Sequence, residues 1–276
     1  MAKIFSELFE PTSLSPDFIL SRRESKRYFG KITISETEAK DGDYRSLLIK
    51  SDLYDDERLR TKLSEEFSRA LLFYFGKYRV GPGDKVLVAG LGNEHVTADA
   101  LGCAVVDRLV VTSHLYDDGK VRSAYGNLSA VKCGVSGTTG IESFSLLSAV
   151  VGREKPKIVL AVDALACGKT ERLGRVIQLS DAGIEPGGGV ANAKPILNER
   201  SLGVPVVAIG VPTVMYARKI LAEFAKGDFA ESDALRTLTV AAKEIDYQIR
   251  AYADVIADGI NEAVHGKESR QSLALL

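Results

Sequence analysis

Asp99 and Asp163 stand sixty-four positions apart, each just beyond a short apolar run. The first run, Leu87-Val88-Ala89-Gly90-Leu91-Gly92-Asn93, leads on to Asp99, and the second, Ile158-Val159-Leu160-Ala161-Val162, ends directly at Asp163. Short runs rich in β-branched residues read as strands of a parallel sheet buried on both faces. Open parallel sheets work on ligands in the crevice beyond the carboxyl ends of their strands. If the two strands are neighbours, the aspartates face each other across one crevice. Two carboxyls in close approach do not readily both ionise, so one keeps a proton. That yields a general base to activate water and a general acid for the leaving group. The same pair could hold a divalent metal. Taken singly, each acid also has a structural use: Asp99 at a helix N-terminus favoured by the dipole, and Asp163 as a cap.

The residues around them are consistent with a cleft. Gly90-Leu91-Gly92-Asn93 follows one strand and precedes a helix, but a dinucleotide fingerprint needs a third glycine where His95 stands, and no Walker pattern is present. The glycines instead permit a tight turn and close backbone approach to a substrate, which makes Gly90, Gly92, Asn93 and His95 candidate substrate-binding residues. Asp181 opens a second glycine-rich stretch ending in Gly187-Gly188-Gly189. Loops at strand ends carry function, so these four residues are also expected to face substrate. His114 and His265 read as structural. Ser136 lacks the G-x-S-x-G elbow, which leaves Cys167 as the one candidate for a nucleophilic mechanism, and a free buried cysteine commonly serves as a small hydrophobe.

The elements that must position these groups alternate. A hairpin with a long turn is expected from Lys31–Ser35 and Tyr44–Lys50, then a helix over Asp55–Gly76. Strands are expected at Lys85–Ala89, Leu109–Thr112, Lys157–Val162 and Val204–Ile209. Helices are expected at Thr97–Arg108, Gly140–Val151, Thr213–Phe224 and Ala241–Val264. The basic cluster at residues 21–27 reads as a solvated face. The pattern predicts an α/β fold, a mostly parallel central sheet with helices on both faces. The catalytic domain would span 80–265, with residues 1–79 as a hairpin and helix extension and 266–276 as a disordered polar tail.

The chain has 276 residues, 36 basic against 37 acidic, for a net charge of -1, which gives no electrostatic reason to expect nucleic acid or a membrane surface as a partner. Its three cysteines, Cys103, Cys133 and Cys167, have no CxxC spacing, so a disulfide framework is not expected and a reducing cytoplasm is the natural compartment. No apolar run approaches the length of a membrane span, and the first residues lack the apolar core of a signal peptide.

In order along residues 80–265, the chain resembles the germination protease (spore protease) family. The matching stretches are Gly90–Asn93 with Val96–Gly102, Leu109–Leu115, Gly137–Glu142, Ala161–Ala166, Gln178–Ile184, Ala208–Val214, Lys243–Asp246 and Val255–Asn261. The resemblance implies an atypical aspartic-type endopeptidase that degrades small acid-soluble spore proteins, with its two proposed catalytic aspartates at Asp99 and Asp163. It further implies a zymogen, assembly as a homotetramer, and action in the spore core. The fold resembles that of hydrogenase maturation endopeptidases, a phosphorylase/hydrolase-like three-layer sandwich, in which Asp99 takes the place of a metal ligand. A divalent metal at Asp99 and Asp163 therefore stays open beside a cofactor-free mechanism. So does a relative that binds a peptide or metal without hydrolysis. Departures are Ala98, where the family usually has proline, and Cys167-Gly168, where it has Ser-Arg.

Overall fold

The computed structural model describes residues 18–53, 56–117, 125–186, 195–225, 235 and 238–267. In chain order the strands and helices are β1 (Ile19–Arg27), β2 (Ile32–Ala39), β3 (Gly42–Ile49), α1 (Glu57–Lys77), β4 (Lys85–Leu91), α2 (Leu101–Val106) and α3 (Ser113–Asp117). They continue with β5 (Asn127–Gly134), α4 (Ser136–Thr139), α5 (Ser143–Glu154), β6 (Ile158–Cys167), β7 (Val176–Ser180) and α6 (Glu199–Leu202). The last are β8 (Val206–Tyr216), α7 (Ala217–Phe224), β9 (Thr239–Ala241) and α8 (Ile245–His265). One sheet runs β1-β2-β3-β7-β8-β6-β4-β5, and β9 pairs with β8.

The architecture is mixed α/β, with apolar clusters on both faces of the sheet. Alternation along the strands produces this directly, because successive side chains point to opposite faces. Val86 and Val88 of β4 and Ile158, Leu160 and Val162 of β6 join Leu63, Phe67, Leu101, Tyr252 and Ile256 from α1, α2 and α8. Their neighbours Leu87, Ala89, Val159 and Ala161 join Leu147 and Val151 of α5 on the other face. Among the described residues, no helix is long and apolar enough to cross a membrane.

The sheet is only partly parallel, which corrects the expectation of a mostly parallel one. β5, β4, β6 and β8 are parallel neighbours. β7 runs antiparallel to β8, and β1–β3 continue the sheet antiparallel from β7. The segment between Cys167 and Val176 is too short for a crossover, which needs a dozen or more residues, so the chain returns antiparallel. The hairpin turn is tight, not long, since Ala39 pairs with Gly42 across Lys40-Asp41. The basic cluster forms β1, an edge strand that among the described residues pairs only with β2 and whose charges discourage further pairing.

Three element boundaries shift for identifiable reasons. Leu109–Thr112 is no strand, despite its β-branched run. Val110 N–H donates to Asn261 Oδ1 at 3.0 Å and Thr112 N–H to the Leu128 carbonyl at 2.9 Å, so α8 and β5 hold it without a ladder. β8 runs to Tyr216, where a helix is expected from Thr213, because Val214–Tyr216 pair with β9. β6 runs to Cys167, so Asp163 lies within a strand and not at its end. Gly187, Gly188, Gly189 and the tail from residue 268 lie outside the described residues.

Candidate functional site

The loop after β4 is shaped by glycine. Gly92 sits at φ +91°, a conformation that side chains with a Cβ rarely adopt, and a Cβ there would run into the carbonyl oxygen of Asp99. One turn on, a Cβ at Gly102 would collide with the carbonyls of Leu91 and Val162. The first turn of α2 therefore rests directly on the ends of β4 and β6, which the glycine makes possible. Asp99 is carried on a 3₁₀ turn, Thr97–Asp99, leading into α2. Its Oδ2 accepts from the Asn93 N–H at 2.7 Å, while Asn93 Oδ1 accepts from the His95 N–H at 3.0 Å. Gly92→Ala is expected to cost about 1–3 kcal/mol by forcing a strained backbone. It should also shift Asp99, and denaturant titration with an unchanged midpoint would contradict this packing.

Asp163 comes from the adjacent strand. Gly90 pairs with Val162, and Asp163 pairs with Gly210 on the other side. Only 6% of Asp163 is exposed. Its Oδ1 accepts from the Ala164 N–H at 2.9 Å. Burial, then the negative charge of Asp99, push its carboxyl up to about 8, against which the Ala164 hydrogen bond acts. Asp99 is less buried, and burial raises its carboxyl while the Asn93 amide opposes that rise. The two environments are thus unequal. Near neutral pH Asp163 keeps its proton and Asp99 can carry the charge, which is the division of labour an acid/base pair needs.

The structure therefore brings together Asp99, Asp163, Gly90, Gly92 and Asn93, with His95 exposed on the rim. Asp181 does not reach this crevice. β7 runs against β8, so Gln178 is level with Gly210 and Asp181 lies farther toward the opposite end of the sheet. Its carboxylate, 2% exposed, takes Lys77 Nζ at 2.6 Å, the Tyr78 hydroxyl at 2.8 Å and the Asp43 N–H at 2.7 Å. Asp181→Ala is expected to cost about 2 kcal/mol, because those donors lose a buried acceptor. It should leave any hydrolysis by the folded protein unchanged; a selective loss of turnover would contradict this placement.

Cys103 and Cys133 lie nearby and went unremarked as site residues in the sequence. Cys103 Sγ approaches the Gly92 carbonyl at 3.8 Å, and the Cys133 thiol is pushed up to about 12 by burial first, then by Cys103 and Asp163. Such thiols stay protonated and act as packing. Nothing in their spacing could have signalled this, whereas Gly102, three positions after Asp99, could have suggested a helix pressed onto strand ends. Among the described residues, no three His, Cys, Asp or Glu side chains gather as a metal-holding group, so the two carboxylates stand without a third donor of these types.

Comparison with known proteins shows the family. The model of the germination protease family matches residues 27–226, beginning well before the stretch where the sequence motifs are recognisable. A germination protease of Bacillus cytotoxicus is 37% identical over 221 residues, covering 78% of this chain and 60% of that protein. Those of Bacillus thuringiensis subsp. konkukian and Bacillus cereus are each 36% identical over 212 residues, covering 74% of this chain and 58% of theirs. The chain thus spans about six tenths of the length of the relatives it matches. With a family match over most of its length and more than a third of the aligned residues identical to these proteins, the chain belongs to the germination protease family.

Proposed function

We propose that the chain is an endopeptidase of the aspartic type that cleaves small acid-soluble spore proteins, with Asp99 as general base and Asp163 as general acid. The observation that supports this most is the unequal pair itself: a fully buried carboxyl raised to about 8 beside a less buried one whose rise the Asn93 amide opposes, in a member of a peptidase family. In the reaction, Asp99 takes a proton from water as the water oxygen attacks the scissile carbonyl carbon. Asp163 gives its proton to the carbonyl oxygen, so the tetrahedral intermediate is a neutral diol. Collapse then returns a hydroxyl proton to Asp163 while the Asp99 proton passes to the departing amine, which breaks the C–N bond and resets both acids. Action as a homotetramer in the spore core belongs to the same proposal.

The deciding experiment is mass spectrometry of a small acid-soluble spore protein incubated with the chain, with and without chelator. Defined cuts indifferent to chelator are expected. Cuts abolished by chelator would move the pair to metal chemistry, and no cuts from a folded protein would favour a relative that binds without hydrolysis.

A further inference from the structure

Strand β6 outlasts its neighbour. Pairing with β4 ends at Gly90 and Val162, yet β6 continues from Asp163 to Cys167, paired among the described residues only with β8. The direction of its peptide groups follows from alternation. Val159 N–H donates to the Pro205 carbonyl, on the β8 side. Residues 161, 163 and 165 therefore present their peptide groups to β8, and 162 and 164 present theirs to the β4 side; the register shift between Leu165 and Ala166 leaves its extra residue, Thr213, on β8, so β6 keeps its parity and Ala166 also faces the β4 side. The Val162 carbonyl is covered there by α2 at Gly102. The Ala164 N–H is taken by Asp163. Among the described residues, no backbone hydrogen bond on that side reaches the Ala164 carbonyl or the Ala166 N–H and carbonyl.

This edge is not a solvated surface strand, because Ala166 is buried and Ala164 only partly exposed. Buried peptide groups are almost always paired. Two acceptors and one donor, spaced as a strand spaces them, stand about 10 Å or less from the carboxylate pair at strand rise.

We propose that a protein substrate binds as an added strand on this edge, its backbone pairing with Ala164 and Ala166 so that the next residues carry the scissile bond to Asp99 and Asp163. The inference rests on the peptidase reading for its choice of ligand. Main-chain pairing of this kind supplies affinity with little dependence on side chains, leaving specificity to the flanking pockets. It also defines a register. A substrate residue about three positions from the scissile bond would lie opposite Ala166 and exchange both hydrogen bonds with it.

The test uses the full chain with synthetic peptides spanning a cut in a small acid-soluble spore protein, either unmodified or N-methylated at one amide at a time. Hydrogen exchange of the Ala166 amide is followed beside cleavage. The expected result is slowed exchange at Ala166 with the unmodified peptide. A single methylation two to four residues from the cut should remove that protection and lower kcat/KM about tenfold, the scale of one lost hydrogen bond. Cleavage without protection at Ala166, and with no methylation-sensitive amide, would overturn the edge proposal and leave the peptidase reading standing. Protection without cleavage would uphold the edge and overturn the peptidase reading. Neither protection nor cleavage would overturn both.

Discussion

Asp163→Asn is expected to lower the rate of peptide cleavage by about 10²–10⁴-fold, the usual worth of a positioned acid or base. The amide keeps the shape of the carboxyl and can still accept from the Ala164 N–H through its oxygen, so the loss should fall on turnover with the fold intact. Asp99→Asn should act on a similar scale, because the water would lose its proton acceptor. The two losses should not add in the double variant, since both residues serve one step. The pH profile of the parent carries the same assignment. Activity needs Asp163 protonated, so it falls as pH rises through about 8, and needs Asp99 ionised, so it falls again toward acid. Single variants that cut a spore-protein substrate as fast as the parent would remove the pair from the mechanism.

The second large effect is on stability, and its sign is opposite to that of an ion-paired aspartate. An unfolded aspartate titrates near 3.9. In the native chain Asp163 is raised to about 8 by burial and by Asp99. Between those values the native state binds a proton that the unfolded state has released, so stability falls as pH rises across that window. The favourable contribution is fully present below about pH 4 and gone above about pH 8, a change on the order of several kcal/mol. Asp163→Asn has no proton to lose. Its stability should lack this decline and exceed that of the parent at pH 9, although it is inactive. Denaturant midpoints of parent and variant at pH 5 and pH 9 test this, and parallel curves would show that Asp163 does not titrate differently on folding. A buried acid retained against such a cost is the signature expected where function and stability oppose one another.

The candidate pair was legible because both aspartates follow apolar runs whose β-branched residues have few alternatives to a buried strand. The glycines of Gly90–Asn93 read as a close backbone approach to substrate, whereas in the structure Gly90 and Gly92 make room for Gly102 and Asp99 of the chain itself. Other features were not legible. Val176–Ser180 is not among the strands expected from the sequence, and only its pairing with β3 and β8 makes it a strand that carries Asp181 away from the crevice. Leu109–Thr112 has strand composition, but its amides go to Asn261 of α8 and to Leu128 of β5 and form no ladder, and propensity yields to tertiary partners in such places. β1 has charge on both faces, so no period marks it; pairing with β2 alone holds it.

The sequence by itself determined that this chain builds an α/β core, which residues its strands bury, and that Asp99 and Asp163 follow two of those strands' apolar runs. Those properties follow from local pattern, because burial and periodicity are written into each segment separately. Tertiary structure alone decided that Asp163 is buried beside Asp99, which raises its carboxyl, that Asp181 belongs to an ion pair with Lys77, and that β6 runs on past the end of β4. Each depends on which segments become neighbours and how far one strand outruns another. Desolvation, charge coupling and an unpaired edge arise only between segments distant in the chain.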